Sequence, residues 1–145
     1  MTKQEKQLLL VDLCARLPYG VIILHSGWNY EWDDSISTWE RVVGIDETSI
    51  YTKVIDSHTM EEYREDSHSI SLFDDKPYLR PMSSMTEEEE REVRILWNED
   101  FVGDNNWYHY YPKTTDFYLS HHLDFRNLIQ KGLALEAPEG MYKTD

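Results

Sequence analysis

The 145-residue sequence predicts an α+β protein: an N-terminal helix, a four-stranded bent antiparallel sheet, then C-terminal helices. Three observations predict it. Apolar residues recur at helical spacing directly after a capping signal at the N-terminus. Short β-branched runs separated by turn residues fill the stretch from 21 to 73. New capping signals with helical patterning follow after 85. Strands joined by short turns form a meander, and a small SH3-like barrel is one closure that suits a sheet of this size. The length fits a single domain over 1–145. Within it, 1–75 supplies the helix and sheet, and 76–145 an extended linker and a helical part packed on them.

Thr2 and Glu5 have the spacing of a capping box, in which each side chain accepts the other residue's backbone N–H. A helix over 3–16 follows, with Leu10, Leu13, Cys14 and Leu17 at i, i+3, i+4 and i+7 as its apolar stripe. Asp12 and Arg16 stand one turn apart beside that stripe and form a modest pair. Pro18 and Gly20 end the helix, because proline disfavours a helical residue before it and glycine supports a turn.

Val21, Ile22, Ile23 and Leu24 form a buried first strand. Residues 27–37 mix Gly, Asn, Asp and Ser with aromatics and read as a loop or ragged hairpin. A second strand over 38–45 puts Trp39, Arg41 and Val43 on one face and Glu40 and Val42 on the other, with Gly44 marking a bulge. Asp46, Glu47 and Thr48 make a turn. A third strand covers 49–55, with Ile50, Thr52 and Val54 on one face. The polar stretch 56–67 reads as loop or a single helical turn, and a fourth strand over 68–73 turns Ile70 and Leu72 inward.

Residues 74–81 carry two prolines and run extended. Thr86 and Glu89 make a second capping box, opening a helix to 97. The four consecutive acids from Glu87 to Glu90 sit in its first turn, where they favour the helix dipole. Thr114 or Thr115 caps a helix over 116–122. A short helix over 124–131 ends at Gly132, a natural residue for the reversal after a helix. The tail 133–145 is a packed extension.

The chain holds 14 basic and 28 acidic residues, a net charge of −14. Nucleic-acid binders carry clustered Lys and Arg against the phosphates, so direct nucleic-acid binding through the bulk surface is excluded. The negative charge is concentrated: residues 29–75 hold thirteen acids against Arg41, Lys53 and Arg64. No apolar run approaches the ~20 residues of a membrane span. The N-terminal residues do not read as a signal peptide, and a single cysteine fits a reducing, cytoplasmic compartment.

The strings DLCARLPYGV at 12–21, KPYLRPMSSMTEE at 76–88 and GLALEAPEGMY at 132–142 resemble a family of small uncharacterised proteins of gut Bacteroidales and of their phages and prophages. The string HHLDFRNLI at 121–129 is similar to that family too. The resemblance implies a phage or mobile-element setting. It brings no activity and no site residue.

Established chemistries find little footing. No H-E-x-x-H, phosphate-binding glycine loop or nucleophile elbow is present. His121 and His122 are adjacent and point about 100° apart on a helix. His58 near Glu61 and Glu62 is a loose ligand set. Cys14, on the apolar stripe, reads as an inert buried thiol. No catalytic residue, metal ligand or cofactor follows from the sequence.

The aromatics stand out more. Trp28, Tyr30 and Trp32 alternate at period two beside Glu31, Asp33 and Asp34, and a second aromatic cluster spans 107–111. The leading expectation is a non-enzymatic acidic binding protein, a phage or mobile-element inhibitor that captures a basic host protein by mimicking a phosphate surface. Glu31, Asp33, Asp34, Glu61, Glu62, Glu65 and Asp66 supply its field, and Trp28, Tyr30 and Trp32 its desolvated anchors. One alternative is a small-ligand protein that sequesters a nucleotide-like molecule through stacked aromatics and Arg41, Arg80 or Arg126. Another is a hydrolase built from dispersed Asp and His.

Overall fold

The computed structural model describes residues 1–29, 34–102 and 113–142. Helix α1 (Lys3–Arg16) opens on the expected capping box, with Glu5 N–H donating to Thr2 Oγ1 and Thr2 N–H to Glu5 Oε2, both at 3.1 Å. Leu17–Tyr19 tightens into a 3-10 turn and Gly20 reverses the chain at φ +69°, where a side chain would be strained and would meet Arg41 Nη1 at 2.8 Å.

The expected stripe is met in part: Leu13 is buried and Leu10 and Leu17 pack partly buried against the core, but the inward face is shifted. Leu9, Asp12, Leu13 and Arg16 face inward, and Cys14 is exposed. Hydropathy spacing counts charged residues as surface, yet Asp12 and Arg16 are fully buried as an ion pair, with Arg16 Nη1 left without a hydrogen-bond partner. Arg16 Nε donates to Asp12 Oδ2 at 2.7 Å, and Arg16 Nη2 to the Leu123 carbonyl at 2.8 Å. Arg126 Nε reaches Asp12 Oδ1 at 3.0 Å.

Among the described residues six strands form one open sheet, in the order β4-β3-β2-β1-β5-β6. Strands β1 (Ile22–Asn29), β2 (Asp34–Ile45), β3 (Ser49–Ile55) and β4 (Glu62–Ser69) make the antiparallel meander. The expected bulge is present, the β2–β3 register shifting between Val42 and Gly44. Strand β5 (Lys76–Leu79) lies antiparallel to β1 on its free side, and the short β6 (Leu135–Glu136) runs parallel to β5. The strand count is therefore six rather than four. The sheet also does not close into an SH3-like barrel, because the extended stretch after 75 occupies the side of β1 that closure would have required.

The fourth strand is displaced from its expected place. It occupies Glu62–Ser69, and Ile70–Leu72 forms a 3-10 turn in which Leu72 is 82% exposed. This strand carries no apolar alternation to announce it. Its ladder with β3 holds it, helped by the ion pair of Lys53 on β3 with Glu62 at 3.6 Å.

From β4 at one edge the chain crosses to β5 on the far side of β1. Ile70 and Phe73 of this crossover pack with Leu9, Leu13, Val21, Ile23, Val42 and Ile50 in the main core, and Lys6 Nζ donates to the Ser71 carbonyl. Crossover and α1 thus cover the same face. On the opposite face Ile22, Ile55 and Met141 form a smaller core with Trp39, Tyr78 and Tyr142.

Helix α2 (Glu87–Val102) starts at the second capping box, pinned from outside by Arg80, whose guanidinium pairs both Glu89 oxygens at 2.9 and 2.8 Å. Helix α3 (Lys113–Ser120) begins earlier than expected, because Asp100 of α2 accepts the N–H groups of Lys113 and Thr114. The helix expected over 124–131 is instead a series of turns. Asp124 accepts the N–H groups of Leu128 and Ile129, and Asn127 takes a positive φ of 64°. No helix among the described residues is long and apolar enough to cross a membrane.

Candidate functional site

Strand alternation builds a polar patch where the main core ends. Val21, just before β1, and Ile23 within it point to the α1 side, so His25 follows them there. On β2, Glu40 precedes Val42 on the same face, and Thr52 sits between Ile50 and Val54 on β3. His68 of β4 lies directly across from Ile50. Asp75 arrives with the crossover, two residues after the buried Phe73.

Six side chains from three adjacent strands, the edge strand and the crossover then connect. Glu40 Oε1 accepts from Thr52 Oγ1 at 2.5 Å and contacts His68 Nε2 at 2.7 Å, while Glu40 Oε2 accepts from Thr38 Oγ1 at 2.7 Å. His25 Nδ1 meets Asp75 Oδ2 at 2.6 Å. The two imidazoles stack, with centroids 3.9 Å apart and planes 25° from parallel. Exposure rises outward across the site: Glu40 is at 0% and Asp75 at 6%, then His68 at 12% and His25 at 26%.

A wholly buried carboxylate is costly unless its lone pairs are used. Burial pushes the Glu40 carboxyl up, but the hydrogen bonds from His68, Thr52 and Thr38 outweigh it and hold it at about 2. Glu40 is therefore an anion. Its hydrogen bond raises the His68 imidazole above the ordinary value against the cost of burial, and the Asp66 and Asp75 charges add to this. Burial raises the Asp75 carboxyl, opposed by its bond to His25.

One ligand atom from each of His25, Glu40 and His68 lies within 4.8 Å of the other two. Glu40 is pre-set by two threonine hydroxyls. His25 has the carboxylate–histidine pairing that fixes tautomer and ring orientation in metal sites, leaving Nε2 as its outward donor. Gly27 keeps the space beside Nε2 open: a Cβ there would lie 3.5 Å from it. The donor set, two imidazoles and a buried carboxylate, suits a divalent ion, although the rings are stacked rather than splayed around a common centre. A cation shared by both rings lies in the plane of each, so its entry requires the stacked pair to rotate apart.

Tyr30, Glu31, Trp32 and Asp33 lie outside the described residues, as does the aromatic cluster at 107–111. Trp28 pairs with Ser35 and Asp34 with Asn29 at the end of the β1–β2 ladder. Glu61, Glu62 and Glu65 are exposed on or beside β4, and Glu62 pairs with Arg41 at 3.0 Å and Lys53 at 3.6 Å. Asp66 is half-buried on the His68 side of the strand. The loose set of His58, Glu61 and Glu62 is not assembled, since Glu62 turns to its basic partners. Of the thirteen acids between 29 and 75, Glu40 and Asp75 go to the cluster, and Asp46 and Asp56 cap turns by accepting backbone N–H groups.

Sequence reasoning passed over His25, Glu40 and His68. The usable signal was a polar residue at a core-facing position of an otherwise apolar alternation, as at His25 after Ile23 and Glu40 before Val42. Comparison with family models, with curated proteins and with solved structures finds no match to this chain.

Proposed function

We propose that this protein binds a divalent transition-metal ion through His25, Glu40 and His68, with Asp75 holding His25 in its ligating orientation. The observation that supports this is the approach of three ligating groups to one another within 4.8 Å, around a carboxylate that is entirely buried. Two imidazoles and one carboxylate favour zinc and its first-row neighbours over magnesium or calcium, which select all-oxygen sets. When bound, a metal with three protein ligands retains a free position and supplies a Lewis acid. Thr38 and Thr52 fix the Glu40 oxygens and Asp75 fixes His25, and His68 would have to give up the proton facing Glu40 to serve as a ligand.

Calorimetric titration and thermal unfolding with Zn²⁺, Co²⁺ and Mg²⁺ test this reading. We expect Zn²⁺ and Co²⁺ to raise the unfolding temperature, with stability increasing by about 2.7 kcal/mol at a hundred times Kd, and Mg²⁺ to do nothing. The response should vanish in Glu40→Gln and in the His25→Ala/His68→Ala double variant. An unmoved transition in excess Zn²⁺, or a shift that survives both variants, overturns it.

A second reading draws on the β4 edge. Glu61 and Glu65 are exposed there and make no ion pair among the described residues, so this edge suits capture of a basic protein partner, in keeping with the chain's charge of −14. Binding of that kind weakens steeply with salt. Charge reversal at Glu61 and Glu65 should lower the association rate with a basic host protein recovered at low salt, and no dependence on either would remove the reading.

A further inference from the structure

A groove of about 530 Å³ runs between α1 and the crossover, on the outer side of both. Leu10, Val11, Cys14 and Ile70 line it, and Lys3 and Lys6 mark the end nearest the helix start. Val11 is 51% exposed, and Leu72 next to the groove's Ser71 is almost wholly so. In a chain of net charge −14, an apolar surface beginning with two lysines is out of character with the rest.

Helix α2 carries the complementary pattern. Glu88, Glu92 and Ile95 fall at i, i+4 and i+7, one face of the helix, and all three are exposed, Ile95 at 54%. The order along the two helices agrees: cations then an aliphatic on α1, anions then an aliphatic on α2. Lys3 to Val11 spans eight residues, ~12 Å of helix, and Glu88 to Ile95 spans seven, ~10.5 Å. Laid parallel, Lys3 faces Glu88, Lys6 and Gln7 face Glu92, and Val11 faces Ile95.

We propose that α2 of a second copy of this chain occupies the α1 groove, each copy giving its helix to the other in a two-fold dimer. The inference is independent of the metal reading and is tested with metal chelated. Sedimentation equilibrium of the full chain from micromolar to near-millimolar concentration should show a monomer–dimer equilibrium that weakens with salt. Val11→Glu and Ile95→Glu, both at exposed positions, should each weaken association at least about tenfold while leaving the circular dichroism unchanged. Lys3→Glu and Glu88→Lys should each weaken it, and the two combined should restore it. A monomer at the highest concentration overturns the proposal. So does a dimer that responds to Val11→Glu but not Ile95→Glu, which would place two α1 faces against each other. Failure of the charge swap to restore association overturns it too.

Discussion

Asp12 shows how a single residue can depend on groups far along the chain. It lies at full burial between Arg16 and Arg126, and the Arg16 guanidinium also reaches the Leu123 carbonyl and packs 5.7 Å from the centroid of Phe125. The attraction within the group balances the desolvation of its members only while every member is present. Asp12→Ala leaves a buried Arg16 without its counter-ion, so we expect a loss of about 3–5 kcal/mol in urea unfolding. The joint change Asp12→Leu/Arg16→Met, which removes both charges and fills the space, should cost clearly less. Equal losses from the two variants would show that packing rather than charge dominates there.

At the scale of elements, acid sensitivity separates by segment. Burial pushes the His122 imidazole, stacked on Tyr142 at 3.7 Å, down to about 3, with the Arg16 and Arg41 charges adding to it. A base whose folded value lies below its unfolded value of 6.5 takes up its proton more readily when unfolded. Its contribution is complete above pH 6.5 and is lost as pH falls toward 3. Glu89, at the start of α2, is held at about 2 by Arg80 against the cost of burial, so its contribution is complete above 4.5 and lost below. His68 works in the opposite direction, its raised value favouring the fold at lower pH. The informative quantity is therefore the difference between the native chain and His122→Phe. That difference should change between pH 6.5 and 4.5 and level off above 6.5, and a pH-independent difference would refute the assignment.

The same scale shows what could be read from the residues. Capping boxes at Thr2 and Thr86, the third strand and the Gly44 bulge were legible because each is set by side chains within a few residues. Strand β4 was not, because it is held by its ladder with β3 rather than by its own pattern. The turns after Asp124 mimic a helix start: an acid accepts forward N–H groups in both, and only the positive φ at Asn127 separates them. His25, Glu40, His68 and Asp75 are separated by up to fifty positions, and local spacing carries no information about their meeting. Once strand faces are assigned, polar residues on a core face are the trace they leave.

For the whole molecule, charge and architecture fit together. An edge strand is a template for adding another chain, and β4 lines that edge with Glu62, Arg64 and Glu65, which oppose such pairing. Exposed apolar side chains among the described residues include Val11 of α1, Leu72 of the crossover and Ile95 of α2, while Tyr63 stands on the edge strand between its charged neighbours. Growth by strand addition is thus disfavoured, while a closed pair of copies through helices is permitted.

The tie between Arg16 and the Leu123 carbonyl spans 107 positions, and that between Arg126 and Asp12 spans 114. During translation the first helix emerges long before either partner is made, so its ionised pair must wait in water while the hairpins assemble beside it. The hydrophobic contacts of Leu9 and Leu13 with Val21, Ile23, Val42 and Ile50 need none of the later residues, but the buried charges of α1 are complete only once residues 123–126 have folded against it.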